Sequence, residues 1–294
     1  MVLLVAALVV ENVATNKRFQ WPEVRAYLFD GTILKTGVLT TVELTAITMV
    51  LGAVLGVILA IMRLSPVPVI SGAAWIYIWL FRGTPVLVQL LIWYNISALY
   101  PNIALGLPFS HLALFSANSN TLITQFVAAV LALSLNEAAY MAEIVRAGIL
   151  SVGEGQTEAA TALGMTRLRT MKIVVLPQAM RVIVPPTGNE TISMLKTTAL
   201  ASVIGLQELT YVSQIIYSRN FETIPLLLVA SFWYVVLVTL LTIGQFYLER
   251  HFARGTVRTL PPTPLHRLRT YLRGVRAQFR GRMNRPGMAG GRGA

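Results

Sequence analysis

Apolar blocks of membrane-spanning length recur along this chain, and they limit the folds open to it more than any other feature. About 20 apolar residues in a helix cross the hydrocarbon core of a bilayer, which is about 30 Å thick. The chain is 55% hydrophobic and only 12% charged, whereas a soluble domain carries about 25% charged residues. We therefore predict an all-α integral membrane fold with five spans, over residues 36–62, 85–100, 121–145, 182–205 and 224–247.

A further apolar segment at residues 2–14 is short for a span. At about 1.5 Å per residue, a helix of this length reaches about 20 Å. The segment also lacks the basic start and small-residue cleavage site of a signal peptide. We interpret it as a partial leading helix, so that residues 1–31 form this helix and an external loop.

A segment rich in aromatic residues precedes the second predicted span. Residues 69–81 contain two tryptophans and a tyrosine, side chains that favour the membrane interface. Thr84 followed by Pro85 has the form of a helix N-cap with proline at the first helical position. An interfacial helix followed by a new span is therefore predicted. Residues 101–120 have prolines, asparagines and no lysine or arginine, and we predict a loop outside the membrane.

Glycines in the first span leave two interpretations open. Gly52 and Gly56 are four residues apart, which is the spacing of a small-residue face that lets another helix approach closely. The alternative is that lipid simply tolerates them. The same span ends at Arg63, just before a Leu-Ser-Pro segment.

The basic residues predict the orientation, because lysine and arginine near span ends favour the cytoplasmic side. Placing Arg63, Arg82, residues 146–181 and the C-terminal segment together gathers 18 of the 24 basic residues on one side. From Arg250 onward there are 11 arginines and no acidic residue. We predict that residues 249–294 form an arginine-rich, disordered cytoplasmic tail that lies against anionic lipid. Nucleic acid is not the expected partner, since no folded module or aromatic pattern accompanies the arginines.

The sequence has no pattern typical of catalysis or metal binding. It contains no cysteine, and its three histidines are too scattered for a ligand cluster. It also lacks a phosphate-binding GxxxxGK[ST] loop, an HExxH helix and a GxSxG elbow. We therefore expect no cofactor and no enzymatic activity in this chain. Any ATP that drives it must be bound by another protein.

The polar connector at residues 151–181 is the most informative segment, and we predict two short helices in it. Thr157 is a possible N-cap of the first helix, and Gly164 ends it. Its apolar face is narrow and built from small side chains: Ala159, Ala162 and Leu163. The second helix has a larger stripe: Leu168, Met171 and Val175. Pro177 is expected to break the run before the next span.

A surface helix with an alanine face fits a shallow groove on a partner protein better than it anchors in lipid. The alternative from composition alone is an ordinary cytoplasmic connector. The connector resembles the EAA loop of ABC importer permeases. The matching pattern is Glu158-Ala159-Ala160, three residues, Gly164, nine residues, Val174, one residue and Leu176-Pro177.

Neighbouring segments are similar to the polar amino acid branch of that family. They include Phe81 to Pro85 with Gln89, Tyr140 with Glu143 and Arg146, Gly155-Gln156, Asn189, the Lys196 to Leu200 segment, and Glu208-Leu209. The similarity covers residues 32–248. One departure lies at Lys196-Thr197-Thr198-Ala199-Leu200, where the family usually has Lys-Asp-Thr-Ser-Leu, so this chain lacks the acidic and the serine hydroxyl side chains.

The resemblance implies a five-helix type I ABC importer transmembrane domain over residues 32–248, including the EAA loop at 151–181, in a bacterial inner membrane. The chain would be the permease subunit that forms the translocation path for a polar amino acid. It would pair with a second permease chain, identical or related, and receive solute from an extracytoplasmic solute-binding protein. An ABC ATP-binding subunit would drive it through the coupling residues Glu158, Ala159, Ala160, Gly164, Leu176 and Pro177.

Charged residues at membrane depth are costly and are therefore functional or paired. Glu143 and Arg146 are three apart and are predicted to pair on one helix. Glu137 and Lys196 lie deeper, and with Asn189 they are our candidates for the substrate path. A zwitterionic amino acid needs both a cation and an anion partner, which these two charges offer. The alternative is that they pair structurally with each other or with Asn189.

Two rival functions follow from the same sequence. A motor-independent secondary amino acid transporter or channel would be favoured by inverted halves with matching broken helices, and no such internal symmetry is evident. A membrane scaffold or lipid-surface protein would be supported by the arginine tail alone. ATP-dependent uptake after reconstitution separates these from an importer permease.

Overall fold

The computed structural model describes residues 1–106 and 113–252, and most of them are helical. The helices are α1 (Val2–Thr15), α2 (Trp21–Leu28), α3 (Leu39–Arg63), α4 (Pro68–Gly83), α5 (Val86–Tyr94), α6 (Ile96–Leu99), α7 (Ser119–Leu122), α8 (Gln125–Leu150), α9 (Glu154–Ala162), α10 (Arg167–Thr170), α11 (Leu176–Thr197), α12 (Leu209–Asn220) and α13 (Thr223–Phe252). Short 3₁₀ helices lie at Lys17–Phe19 and Thr198–Ile204, and π-helical turns at Ile33–Val38 and Met171–Val175.

Three helices in the described ranges are long and apolar enough to cross a membrane: Ile33–Arg63, α8 and α13. Two further pairs pass the same criterion but are bent. The α4–α5 pair bends by 100°, and Arg167–Ile204 with α12 bends by 45°. The number of candidate spans in the described ranges is therefore three, or up to five if each bent pair is counted as one span. The leading helix α1 has 14 residues and is not among these candidates.

The last part of the bundle differs from the predicted boundaries. The predicted fourth span begins earlier, with α11 at Leu176, and Pro185 and Pro186 lie inside this helix. Gln245 of α13 donates a hydrogen bond to the Pro185 carbonyl at 3.3 Å, so a neighbouring helix helps to satisfy the local backbone. The predicted loop around Arg219 is instead α12, which sequence polarity alone did not reveal.

Helices α3 and α8 run parallel and pack through the two glycines. A Cβ added at Gly52 would lie 2.7 Å from Glu137 Cγ. One added at Gly56 would lie 2.5 Å from Met141 Cβ. These distances are far below ordinary contact, so the interpretation of the glycines as a close-packing face is confirmed.

Helix α8 lies at the centre of the bundle. Ile183 of α11 packs against Gly148 near the C-terminal end of α8, and Leu90 of α5 joins the core around Ala128 and Ala132. Helix α13 packs on α11, where Gln245 occupies the space beside Gly188. The ends of α3, α8 and α13 and the start of α11 therefore share one end of the bundle. We call it the loop end, because residues 151–166 lie there.

Two segments predicted as loops contain regular structure. In residues 101–120, β1 (Asn102–Gly106) and β2 (Ala113–Asn118) form an antiparallel pair with an irregularity between Leu105 and Gly106. Residues 107–112 of that predicted loop lie outside the described residues. In the predicted external loop before residue 31, helix α2 begins at Trp21-Pro22, and proline is favoured in a first turn.

Helix α2 is attached to the bundle by packing that its sequence does not show. The Trp233 ring nitrogen of α13 donates a hydrogen bond to the Leu28 carbonyl at 2.8 Å. Val24 joins a buried cluster with Ile33 and Leu209. The N-terminal segment is therefore part of the bundle surface rather than a free connection. The predicted tail covers residues 249–294, and its first four residues are helical because α13 continues to Phe252. The rest of the predicted tail, from residue 253 onward, lies outside the described residues.

Candidate functional site

The first helix of the EAA-like loop, α9, begins four residues earlier than a Thr157 cap would place it. Gly153 is its N-cap, so the prediction for Thr157 is wrong. Thr157 lies inside the helix, and its hydroxyl donates to the Glu154 carbonyl at 2.7 Å. A threonine hydroxyl can cap a helix or bond back to the preceding turn, and here it does the latter.

The two alanines of the Glu-Ala-Ala segment face different ways. Glu158 and Ala159 are exposed, and Leu163 has 82% of its surface exposed. Ala160 is only 4% exposed and faces the protein's own interior. The predicted apolar face of Ala159, Ala162 and Leu163 is therefore free on the surface, whereas Ala160 fixes the helix to the chain.

Gly164 ends α9 in the predicted way. Its φ is +73°, a conformation that residues with a Cβ rarely adopt. Its N–H donates to the Thr161 carbonyl at 2.9 Å. The next N–H, of Met165, donates to the Ala160 carbonyl at 3.0 Å. This pair of bonds is the Schellman termination, which depends on a left-handed residue at this position.

The second helix of the loop does not end before the next span. Helix α10 continues through the π-helical turn Met171–Val175 directly into α11, so the predicted break at Pro177 is wrong. A proline lacks an N–H and crowds the preceding turn, and it sits here in the first turn of α11, directly after the wider π turn. The predicted coupling residues Leu176 and Pro177 are exposed at the start of the long helix.

A polar network lies where α4 and α5 meet. The Gln89 amide donates to the Phe81 carbonyl at 3.0 Å and to the Thr84 hydroxyl at 2.8 Å. Asn136 of α8 donates to the same carbonyl at 2.9 Å and to Gln89 Oε1 at 3.3 Å. Thr84 does not cap α5, since its hydroxyl donates to the Leu80 carbonyl at 2.9 Å. These side chains satisfy backbone groups freed by the 100° bend.

The sequence reasoning missed this network as a unit. Gln89 was noted only as part of a similar segment, Thr84 was predicted as a helix cap, and Asn136 was not singled out. The sequence signal that these residues offer is an amide side chain in each of two apolar helices: Gln89, just after the Gly-Thr-Pro break, and Asn136 in α8. Non-helical backbone at membrane depth needs such partners, and this rule points to the same residues.

Glu137 is the most deeply buried candidate for the substrate path. It is 2% exposed, and its Oε1 atom has no hydrogen-bond partner among the described residues. The hydroxyls of Thr48 and Ser134, on the two helices that pack here, are also buried without a partner in the described chain. Buried polar groups are nearly always paired, so three unpartnered oxygens on this interface mark it as unusual.

The other two substrate-path candidates lie apart from Glu137. Asn189 is exposed, and its Oδ1 accepts a hydrogen bond from Gln245 at 3.0 Å. Lys196 is exposed near the end of α11. Within the described ranges, neither forms a hydrogen bond or ion pair with Glu137. Glu190, beside Asn189, is close enough to Glu137 to interact electrostatically.

Glu143 and Arg146 form the ion pair predicted from their spacing. The Arg146 guanidinium approaches Glu143 Oε2 to 2.7 Å, and both side chains are about one-quarter to one-third exposed.

Glu208, which the sequence analysis named only as part of the resemblance, is fully buried. Its carboxylate accepts hydrogen bonds from the N–H groups of Thr210 and Tyr211 at 2.9 and 2.8 Å and so caps α12.

Comparison with known proteins identifies the fold around these features. Residues 52–254 match the family described as binding-protein-dependent transport system inner membrane component. The arginine transport system permease protein ArgU of Corynebacterium glutamicum is 52% identical over 83% of this chain and 76% of its own length. The L-cystine transport system permease protein TcyB of Bacillus subtilis is 39% identical, over 76% of this chain and 87% of its own.

Solved structures agree with the sequence relatives. A crystal structure of an amino acid ABC transporter with histidines is 36% identical, with a TM-score of 0.62 over 75% of this chain and 94% of that one. An inward-facing MetNI methionine ABC transporter chain shares the fold, at 20% identity and a TM-score of 0.55, over 74% of this chain and 95% of that one. This chain therefore belongs to the binding-protein-dependent transport system inner membrane components and is a permease subunit of an amino acid ABC transporter, with the type I importer fold.

Proposed function

We propose that this permease forms the translocation path for a polar amino acid and is driven through residues 151–181 by a separate ATP-binding subunit that hydrolyses the ATP. The observation that carries the proposal is the exposed α9 face, which ends at the left-handed Gly164 and leads through an unbroken helix into the bundle. A surface of this kind offers a partner both a groove contact and a rigid connection.

Coupling follows from helix continuity. The helix from Arg167 runs without interruption into α11, so rotation of the docked loop moves the span with it. Glu158 and Ala159 supply the exposed contact, Gly164 supplies the turn, and Leu176 and Pro177 lie where the loop joins the span. Ala160 contributes by anchoring α9 to its own chain rather than by touching the partner.

We propose the remaining partners by analogy with the family. An extracytoplasmic solute-binding protein delivers the amino acid, and a second permease chain, identical or related, completes the path. The loop end then faces the cytoplasm together with the C-terminal tail, in a bacterial inner membrane, in agreement with the distribution of basic residues. The names of the relatives cite arginine and L-cystine, and a permease of Escherichia coli cites glutamate and aspartate, all polar amino acids.

Glu137, Asn189 and Lys196 are proposed to contact the amino acid along this path. Support comes from the buried, unpartnered Glu137 oxygen, which offers an acceptor to a cationic group, and from the exposed Lys196 ammonium, which offers a partner to a carboxylate. Asn189 lies between them in sequence on α11 and presents an amide. An anionic acceptor at Glu137 and a cation at Lys196 match the ammonium and carboxylate groups of a zwitterionic solute.

Gly164→Asp tests the coupling loop. The substitution puts a Cβ on a residue at φ +73°, which destabilises the turn by about 1 kcal/mol, and adds a charge beside the docking face. We expect ATP-dependent uptake by vesicles containing the reconstituted complex to be lost. Gly153→Asp is the matched control, since aspartate is a favourable N-cap at that position.

Uptake by the Gly164→Asp complex at the rate of the parent would contradict the proposed coupling. Uptake by the parent complex that continues without ATP would instead favour a motor-independent transporter. Copurification of the ATP-binding subunit, measured on the same preparations, shows whether the loss of transport comes from failed docking or from a docked but uncoupled complex.

Glu137→Gln and Lys196→Met test the substrate path. Each removes one charge, and we expect the apparent affinity or the solute preference to change by about tenfold or more, as for loss of a hydrogen bond to a charged group. Glu11→Gln, which lies in the exposed leading helix, controls for the chemical change. If both path variants kept the transport rate and preference of the parent, the assignment of these residues would fall.

A further inference from the structure

A polar cavity of about 510 Å³ lies at the loop end of the bundle, between the end of α3, helix α4 and the last third of α8. Its lining combines three arginines, two tryptophans and one carboxylate: Arg63, Trp75, Trp79, Arg82, Glu143 and Arg146. None of these residues belongs to the coupling loop or to the proposed substrate path. The question is what balances the charge of the three arginines.

Only one of the arginines has an anionic partner at contact distance. Arg146 pairs with Glu143 at 2.7 Å. The Arg82 guanidinium lies over the Tyr140 ring, 5.2 Å from its centroid. Arg63 and Arg82 form no ion pair within 4 Å with any residue in the described ranges. The lining therefore carries two more positive charges than negative ones.

The neighbouring acidic residue on α11 does not change this balance. Glu190 is close enough to Arg82 for an electrostatic interaction, but no ion pair within 4 Å joins them in the described chain. Charges near a bilayer are costly unless they are neutralised. An anion in the cavity would neutralise Arg63 and Arg82 from the side that Glu143 leaves open.

The cavity borders a surface suited to lipid. Trp75 and Trp79 stack with their ring centroids 6.3 Å apart and are 51% and 62% exposed. Ile76 and Leu80 on the same helix are also exposed. Tryptophan favours the boundary between headgroups and hydrocarbon, so this face of α4 lies at the depth of lipid headgroups.

We propose that the cavity binds the phosphate headgroup of an anionic phospholipid from the leaflet at the loop end. That leaflet is the cytoplasmic one if the loop end faces the cytoplasm, so this part of the inference rests on the proposed function. Arginine binds phosphate through paired N–H donors, and basic pockets between membrane helices on the cytoplasmic side bind anionic headgroups. Trp75 and Trp79 flank the glycerol region of the lipid.

The test uses the full-length protein with its tail intact, purified in detergent and mixed with equal amounts of phosphatidylglycerol and phosphatidylcholine. Native mass spectrometry counts the lipids retained by each variant. We expect the parent to prefer phosphatidylglycerol and the Arg63→Gln/Arg82→Gln variant to lose about 30-fold in affinity, given the contribution of each basic residue near a membrane surface. Arg167→Gln/Arg169→Gln removes the same charge from the exposed loop and should keep the preference.

Arg63→Lys/Arg82→Lys keeps the charge but lacks the paired N–H donors. It should bind less tightly than the parent and more tightly than the Arg63→Gln/Arg82→Gln variant, which separates loss of the site from loss of folding. Equal phosphatidylglycerol retention by the Arg63→Gln/Arg82→Gln variant and the parent would overturn the proposal. So would displacement of the lipid by excess inorganic phosphate, which would make the ligand a free anion. The chain has no native cysteine, so Trp79→Cys introduces a single thiol. A disulfide between two Trp79→Cys chains would show that a second permease chain, and not lipid, covers this face, and it would also overturn the proposal. The assay requires neither ATP nor solute, so its failure is distinct from failure of the proposed transport function.

Discussion

Gly56 controls how closely two of the spans can approach. A Cβ at this position would lie 2.5 Å from Met141 Cβ and 3.1 Å from the Ala138 carbonyl oxygen. Neither neighbour is the far end of a flexible side chain, so the backbone itself would have to move. A single methyl group is therefore enough to separate α3 from α8.

Gly56→Ala should lower the thermal stability of the purified protein. Overpacking a close contact costs about 1–3 kcal/mol, and the midpoint of thermal unfolding in detergent measures the effect. Gly244→Ala is the matched control, because no atom lies within 4 Å of a Cβ built there. An unchanged midpoint for Gly56→Ala would mean that the two helices are not in the contact described.

Local pairs were predictable at the residue scale, and distant ones were not. The spacing of Glu143 and Arg146 was enough to predict their ion pair, because both residues lie on one helix. The spacing of Gly52 and Gly56 predicted a contact face but not its partner, which comes from another helix. Threonine was misleading at Thr84 and Thr157, since its hydroxyl can bond forward as a cap or back to the preceding turn.

At the scale of elements, two adjacent alanines of α9 lie in different environments. Successive residues on a helix differ by about 100° in direction, so Ala159 and Ala160 cannot both meet a partner protein. The structure assigns the exposed side to Ala159 and the buried side to Ala160. The same substitution at the two positions should therefore have two different effects.

Ala159→Arg is expected to leave thermal stability unchanged but to reduce copurification of the ATP-binding subunit by about tenfold or more, since interface anchors are worth 1 kcal/mol or more. Ala160→Arg should lower the unfolding temperature, because it forces a large charged side chain into a packed site. Retained copurification with Ala159→Arg would place the docking face elsewhere. Normal stability of Ala160→Arg would mean that α9 is not held as described.

The type of most elements was predictable, but their ends and bends were not. Apolar length predicted the helices, and the Gly-Thr-Pro segment predicted a change of element before α5. Three features depend on neighbouring parts of the fold: the π turn that precedes Pro177, the bend of 45° before α12 and the pairing of β1 with β2. A polar segment has no apolar pattern that separates a surface helix such as α12 from a loop.

At the scale of the whole molecule, apolar block length and the EAA-like pattern together predicted the membrane class, the type I importer fold and the family. The candidate site was predictable only in part. The predicted coupling residues share one short segment with a recognisable pattern. Gln89 and Asn136 are 47 residues apart along the chain and come together only in the fold. The family match ends at residue 254, close to the end of the described residues.

A chain ending at Phe252 keeps nearly all of the residues in the family match, so we expect it to keep at least about half of the parent's uptake. Vesicle uptake with the same ATP-binding and solute-binding partners measures this. Removing the tail should also reduce the salt-sensitive binding of the protein to vesicles of anionic lipid, by about 1 kcal/mol per basic residue near the surface. A complete loss of uptake would show that the tail has a role in transport.

The small residues along α3 also restrict how the bundle can rearrange. Thr48, Gly52, Gly56 and Ala60 are buried and follow one another at four-residue intervals, about 6 Å along the axis. Bulkier side chains such as Val54 and Ile58 lie between them on the exposed side. On the side that faces α8, a Cβ at Gly52 would lie 2.7 Å from Glu137 Cγ, and one at Gly56 would lie 2.5 Å from Met141 Cβ. A slide of about two or three ångströms would therefore press side chains of α8 against the α3 backbone. The two helices can keep their register or shift by a full four-residue step, so in any smaller motion of the transporter they move together as one rigid unit.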